Sequence, residues 1–229
     1  MTNPVSGHSI AGETLTRADI AALAGAAPVR LIDCDLAEAE LGRLDLSGWS
    51  FEACDLRRAD LSGARLERTQ WRSCRGAFAS FTGADLGDAV FAASDFNNAL
   101  LRGATLSSAS FTSCKLTGAD FTDARALDLR FEETLLIDAR LAGFSFLKQT
   151  LTRLDLSRAD LRKCDFRHAV FEACSLRDAN MAGSRFTGAD LRGADLGGLR
   201  LVDAALFRGA TISRDQAGQL LGELGLNVR

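Results

Sequence analysis

From Leu31 to Leu206 every fifth residue is large and apolar, with no residue inserted or lost on the way. Of the 36 positions so defined, 34 are Leu, Phe, Trp or Met, and the exceptions are Gly76 and Ala126. A second lattice two residues earlier is mostly small: Ala39, Cys54, Ala59, Ala64, Cys74, Ala84, Ala119, Ala159, Cys164 and Ala189. A period of five fits neither the helix repeat of 3.6 nor the strand repeat of 2. It fits a solenoid, in which one unit is a short extended side plus a turn. The large residue and the small one before it point inward, and the other three face out. Four sides close a coil of 20 residues, and coils stack at about 4.8 Å with backbone groups pairing between them. The 36 units then make nine coils, a rod roughly 43 Å long at that spacing.

A higher period of 20 supports the four-sided coil. Positions 51, 71, 91, 111, 131 and 171 are Phe, Trp, Phe, Phe, Phe and Phe, which places an aromatic ladder on one side. All six cysteines, Cys34, Cys54, Cys74, Cys114, Cys164 and Cys174, fall on the small lattice. They read as small core hydrophobes, and their spacing matches no zinc motif. The residue before the large apolar one is Asp twelve times and Asn once. These side chains suit their own turn backbone, which marks them as turn-setting residues rather than catalytic carboxylates.

Two places break the pattern. Gly76 leaves a hole in the core lattice, with Phe78 as a candidate filler. Between Ala126 and Leu154 the small lattice carries bulky Leu129, Phe144 and Leu154, which predicts bulged or widened coils. Leu127, Leu135, Ile137 and Leu147 face outward there and form a candidate partner patch.

The ends need covers, because an open coil stack is an aggregation hazard. Thr16-Arg17-Ala18-Asp19 resembles a capping signal ahead of Ile20, Leu23 and Ala24, and predicts a short helix ending near Gly25. Ser213 to Gln216 reads as a capping box, followed by Ala217, Leu220, Leu221 and Leu224 at helical spacing and a stop at Gly225. The apolar residues left over favour a two-fold dimer through this end. The expected interface is Leu206, Phe207, Leu220, Leu221, Leu224, Leu226 and Val228. The domain division is 1–30 for an N-terminal tail and capping helix, 31–208 for the repeat rod and 209–229 for the C-terminal cap and dimerisation segment.

Bulk properties exclude several function classes. The chain has 229 residues, 27 basic against 30 acidic, for a net charge of −3. That balance argues against direct nucleic-acid or anionic-membrane binding. No secretory leader and no stretch of 18 apolar residues is visible, so a cytoplasmic protein is expected. The two histidines, His8 and His168, belong to no nucleophile–base pair, and no phosphate loop is present. No catalytic residue, metal site or cofactor is expected.

Units such as Ala59-Asp60-Leu61-Ser62-Gly63 and Ala119-Asp120-Phe121-Thr122-Asp123 resemble the pentapeptide repeat proteins. The resemblance covers about 31–208 and implies an all-β fold. That fold is a right-handed quadrilateral parallel β-helix of about nine four-sided coils, here with short N- and C-terminal capping helices. The tail from Ile212 and Ser213 through Gln216, Ala217, Leu220, Leu221 and Leu224 to Leu226 is similar to one subgroup's ending. Its members are quinolone-resistance and self-immunity proteins that protect DNA gyrase as C-terminal homodimers. The resemblance implies a non-enzymatic protein that contacts gyrase or topoisomerase IV and protects it from a poison. The alternative is a rigid interaction scaffold with no topoisomerase target. Some members carry projecting loops, but the uninterrupted repeat leaves no room for one here. Charge mimicry of DNA also fails on density. A rod of this length would need on the order of 25 net negative charges, whereas residues 31–206 hold 26 acidic and 22 basic side chains.

Overall fold

The period of five is set at the corners. The residue two after the large core residue has a positive φ in repeat after repeat, as at Glu38 (59°), Arg43 (62°) and Gly63 (64°). Closed by a bond such as Ala39 N–H to the Leu36 carbonyl at 3.1 Å, this is a type II β-turn. The aspartates that precede the core residues lock these corners. All twelve accept a hydrogen bond from the backbone N–H two residues on, from Asp35 to Asp195, and Asn180 does the same. The turn-setting role read from the sequence is the one they perform.

The computed structural model describes residues 8–25, 27–199, 201–223 and 225–228. The chain divides into two compact units, one ending at Arg130 and one starting at Phe131. In the first, β1 (Ser9–Ala11), β2 (Arg30–Ile32), β3 (Ser50–Glu52), β4 (Gln70–Arg72), β5 (Val90–Ala92) and β6 (Ser110–Thr112) run parallel in that order. The remaining three sides pair through single bridges such as Asp35 to Asp55, Glu40 to Asp60 and Asp45 to Arg65. In the second, β7 (Arg130–Glu132), β8 (Thr150–Thr152) and β9 (Val170–Glu172) repeat the arrangement, and β10 (Cys174–Ser175) pairs β11 (Ala194–Asp195) on the next side. Both units are four-sided parallel β-solenoids.

The cysteine column has more to do than fill space. After every strand from β2 to β9 but β8, which is followed by Leu154, the small-lattice side chain hydrogen-bonds backbone. Cys54 Sγ lies 3.5 Å from the Leu31 carbonyl and 3.4 Å from that of Glu52. Ser94 Oγ, in the same column, accepts from Cys74 N–H at 3.0 Å and donates to the Ala92 carbonyl at 2.9 Å. Cys174 Sγ accepts from Leu154 N–H at 3.5 Å. The cysteines are the small core residues that the sequence indicates, and their thiols add hydrogen bonds to the backbone around them. All six are buried free thiols.

In the first unit the expected ladder forms: Phe51, Trp71, Phe91 and Phe111 stack with centroid spacings of 4.0, 5.5 and 4.5 Å. The hole at Gly76 is not filled by Phe78. Phe96, one coil on in the same column, lies over it so closely that a Cβ at Gly76 would sit 2.0 Å from Phe96 Cε1. Phe78 instead points out and is 56% exposed. In the second unit a ladder unforeseen from the sequence joins Phe146, Phe166 and Phe186 at 5.0 and 4.8 Å. Leu129, Phe144 and Leu154 are taken into the core. The coils of this unit keep the 20-residue register through the irregular stretch, as Leu135 facing Asp155 and Ser145 facing Asp165 show.

Both ends depart from the lattice by one residue. Ser9 pairs with Arg30 and Thr14 with Asp35, a spacing of 21, so the solenoid starts before Leu31 and what reads as a tail contributes β1. Then α1 (Arg17–Leu23) follows, with the Thr16–Asp19 capping box, a buried Ile20, and Arg17 donating to the Glu40 and Gly42 carbonyls. At the other end Asp190 bridges Thr211, again 21 residues on, across a 3-10 helix over Leu201–Phe207. The slip places Phe207, not Leu206, over Phe186 at 4.5 Å.

Candidate interaction surface

Three of every five side chains project outward, so the surface is a grid whose rows are coils and whose columns repeat every 20 residues. Its charges are matched locally. Where a turn-setting Asp is followed two residues later by Arg, the guanidinium folds back on the carboxylate. Asp55–Arg57, Asp160–Arg162, Asp165–Arg167 and Asp190–Arg192 all close this way at 2.6 to 2.8 Å. Pairs between coils add to the pattern: Arg75 to Asp55 at 3.4 Å, Arg158 to Asp138 at 2.7 Å and Arg185 to Asp165 at 2.8 Å. The guanidinium hydrogen bond holds the Asp55, Asp160 and Asp165 carboxyls below the usual range, and holds Asp190 down to about 2. Solvent screening leaves such exposed pairs a small part in stability. Their consequence for recognition is a finely mixed surface potential.

The candidate patch after Ala126 does not come together. Leu135 and Ile137 flank Leu136, while Leu147 follows Phe146, and ten residues is half a coil. They therefore sit on opposite sides of the second unit. Leu135 and Leu147 are exposed and Ile137 is half-buried. Leu127, 71% exposed, belongs to the first unit.

The C-terminal residues separate into two groups. Leu206 and Phe207 are half-buried in the last coil, where the Leu206 carbonyl accepts from Phe186 N–H at 3.3 Å. The helix α2 (Arg214–Glu223) follows. Its capping box closes as expected, with Gln216 N–H to Ser213 Oγ at 3.1 Å and Ser213 N–H to Gln216 Oε1 at 2.7 Å. The helix docks through this same glutamine rather than an apolar face. Gln216 is its one buried residue, and Nε2 donates to the Leu191 and Ala194 carbonyls, each at 2.6 Å. Glu223 Oε2 accepts from Gly198 N–H at 3.0 Å. Between helix and coil lies a cleft of about 760 Å³, lined by Arg177, Asp195, Gln219, Leu220 and Glu223 among others. Leu220 is half-buried toward it, and Leu221, Leu226 and Val228 are exposed. Leu224 lies outside the described residues. Both the glutamine anchor and the one-residue slip escaped sequence reading; the only signal for the slip was Phe207 beside the 146, 166, 186 phenylalanine series.

Among the described residues no group of His, Cys, Asp and Glu is placed to hold a metal ion. No helix among them is long and apolar enough to cross a membrane.

Four sides, five residues per side and parallel stacking define the class as a quadrilateral β-solenoid. The chain belongs to the pentapeptide repeat family, whose model (pentapeptide repeats, eight copies) matches residues 30–68, 54–91, 84–123, 130–167 and 164–201. The matches skip 124–129, where Ala126 interrupts the lattice. The structure of QnrB1, a plasmid-mediated fluoroquinolone resistance protein, is similar with a TM-score of 0.71 at 21% identity, over 95% of this chain and 100% of that one. A trypsin-treated variant of QnrB1 gives 0.54 at 22% identity, over 97% and 98%. No curated protein matches the sequence significantly.

Proposed function

We propose that the protein is a non-catalytic, cytoplasmic binding protein that contacts DNA gyrase or topoisomerase IV and shields it from a poison such as a fluoroquinolone. The observation that carries this reading is the likeness to a fluoroquinolone resistance protein over that protein's whole length. Shape and side-chain contact would do the work, because the ion-paired surface gives no DNA-like charge density. Homodimerisation through the C-terminal end is part of the proposal. Its candidate surface narrows to Leu221, Leu226 and Val228, with Leu220 beside them, since Leu206 and Phe207 are engaged in the last coil. A monomeric Leu221→Asp variant by light scattering is the expected result, and an unchanged dimer would remove that interface.

The test of function is gyrase supercoiling in the presence of a fluoroquinolone across a titration of this protein. Rescue of supercoiling, or inhibition at higher dose, is expected. No effect at micromolar protein would set the topoisomerase reading aside for that of a rigid scaffold, which the charge-matched surface favours.

A further inference from the structure

Pairing between neighbours hides a polarity of the second unit. Residues 131–199 carry ten basic and ten acidic side chains. Two adjacent sides are marked by the bridges of Arg140 with Asp160 and of Ser145 with Asp165. Counting each corner with the side that it ends, they hold six of the bases and two of the acids. The other two sides hold four bases and eight acids. One half therefore has a surplus of four positive charges and the other of four negative ones, with His168 on the positive half counted as neutral. The bases of the positive half are Arg140, Lys148, Arg162, Lys163, Arg167 and Arg185. Its two acids are already engaged: Asp160 accepts two bonds from the Arg162 guanidinium, and Asp165 takes both Arg167 and Arg185. Lys148 and Lys163 are exposed and make no ion pair among the described residues.

The surplus calls for an anion, and what this half lacks decides its kind. Leu147 is its one exposed large apolar residue among those described, and it shows no exposed Phe or Trp. A protein partner draws its affinity from buried apolar and aromatic anchors, and a single-stranded nucleic acid from rings on which bases stack. Guanidinium and ammonium groups, with hydroxyls such as those of exposed Ser145 and Thr187, are what phosphates need. We infer that these two sides of the second unit bind the phosphate backbone of duplex DNA, without regard to its sequence. The charge of the whole chain argues against nucleic acid only because it averages over two halves of opposite sign. The inference goes beyond the topoisomerase reading and does not rest on it.

The test is fluorescence anisotropy of a short labelled duplex of arbitrary sequence, titrated with the full chain between about 0.05 and 0.2 M salt. With four phosphates neutralised, the logarithm of the association constant should fall against that of salt with a slope of about −3.6. Lys148→Gln combined with Lys163→Gln should halve that slope and weaken binding at the lower salt by about fivefold or more, with an unchanged melting midpoint. Lys115→Gln, at the one other lysine and in the first unit, should alter neither slope nor affinity. Absence of binding by the unaltered protein at the lower salt overturns the inference. An undiminished double variant, or an equal loss from Lys115→Gln, does the same. Poly-glutamate that displaces the duplex charge for charge would make an acidic protein surface the occupant, and so overturns it too. A double variant that melts lower is decided by Lys148→Met with Lys163→Met, which keeps the length of both stems: lost binding supports the surface, and retained binding overturns it. The assay contains no topoisomerase, so its failure leaves the reading above standing.

Discussion

Gly76→Ala is the sharpest test of how this core is packed. An added Cβ would lie 2.0 Å from Phe96 Cε1 and 2.3 Å from Cδ1, where ordinary contact begins at 3.4 Å. The ring has little room to retreat. Trp71, Phe81 and Phe91 surround it with centroids at 6.1, 5.6 and 5.3 Å, and it is 1% exposed. Overpacking of this kind costs about 3 kcal/mol. Replacing glycine restrains the unfolded chain and returns roughly 0.4–1 kcal/mol. The net is a destabilisation of about 2 kcal/mol, or a fall of roughly 4–8 °C in melting midpoint for a domain of this size. Fluorescence of the buried Trp71 follows the transition directly. Phe96→Leu added to Gly76→Ala should recover more than half of the loss, although Phe96→Leu alone leaves a cavity and destabilises. A Gly76→Ala midpoint within 1 °C of the unaltered protein, or strict additivity in the double variant, would refute the account.

Acid should loosen the corners. The aspartates at 55, 160, 165 and 190 ionise more readily in the fold than their ordinary value of 3.8, Asp190 at about 2. A folded pKa below the unfolded one adds stability above the unfolded value and loses it as pH falls through the folded value. The melting midpoint is expected to stay level from about pH 7 to 5 and to fall between about pH 4 and 2. A level profile down to pH 2 would contradict these pairs. At the C-terminal end, Gln216→Ala strands the Leu191 and Ala194 carbonyls. At about 1 kcal/mol per bond, hydrogen-exchange protection in α2 should drop roughly 30-fold. Unchanged protection would mean that apolar contact, not the glutamine, holds the helix.

Most of the solenoid was legible because its period is written in residue types that have one place to go. A large apolar residue every five positions, with an aspartate before it, fixes core, corner and register together. What escaped depends on neighbours one coil away. Gly76 is filled by Phe96, twenty residues on, rather than by the adjacent Phe78, and only stacking tells the two apart. The 21-residue coils at both ends shift side chains by one place without disturbing the apolar pattern, so Leu206 and Phe207 trade roles unseen. The candidate surface was the least legible part, since outward positions obey no packing rule. Leu135 and Ile137 are close to Leu147 in sequence but occupy the opposite side of the second unit, while Phe78 drew notice only as a core filler.

A fold that fixes two residues in five leaves the other three to vary by descent. Sequences can then drift to 21% identity while backbones still superpose at a TM-score of 0.71. Selection on such a chain acts on two nearly independent texts, an inner one read by the chain's own coils and an outer one read by whatever it meets. A lineage can rewrite the outer text one corner at a time, and so change partners, without passing through an unfolded ancestor.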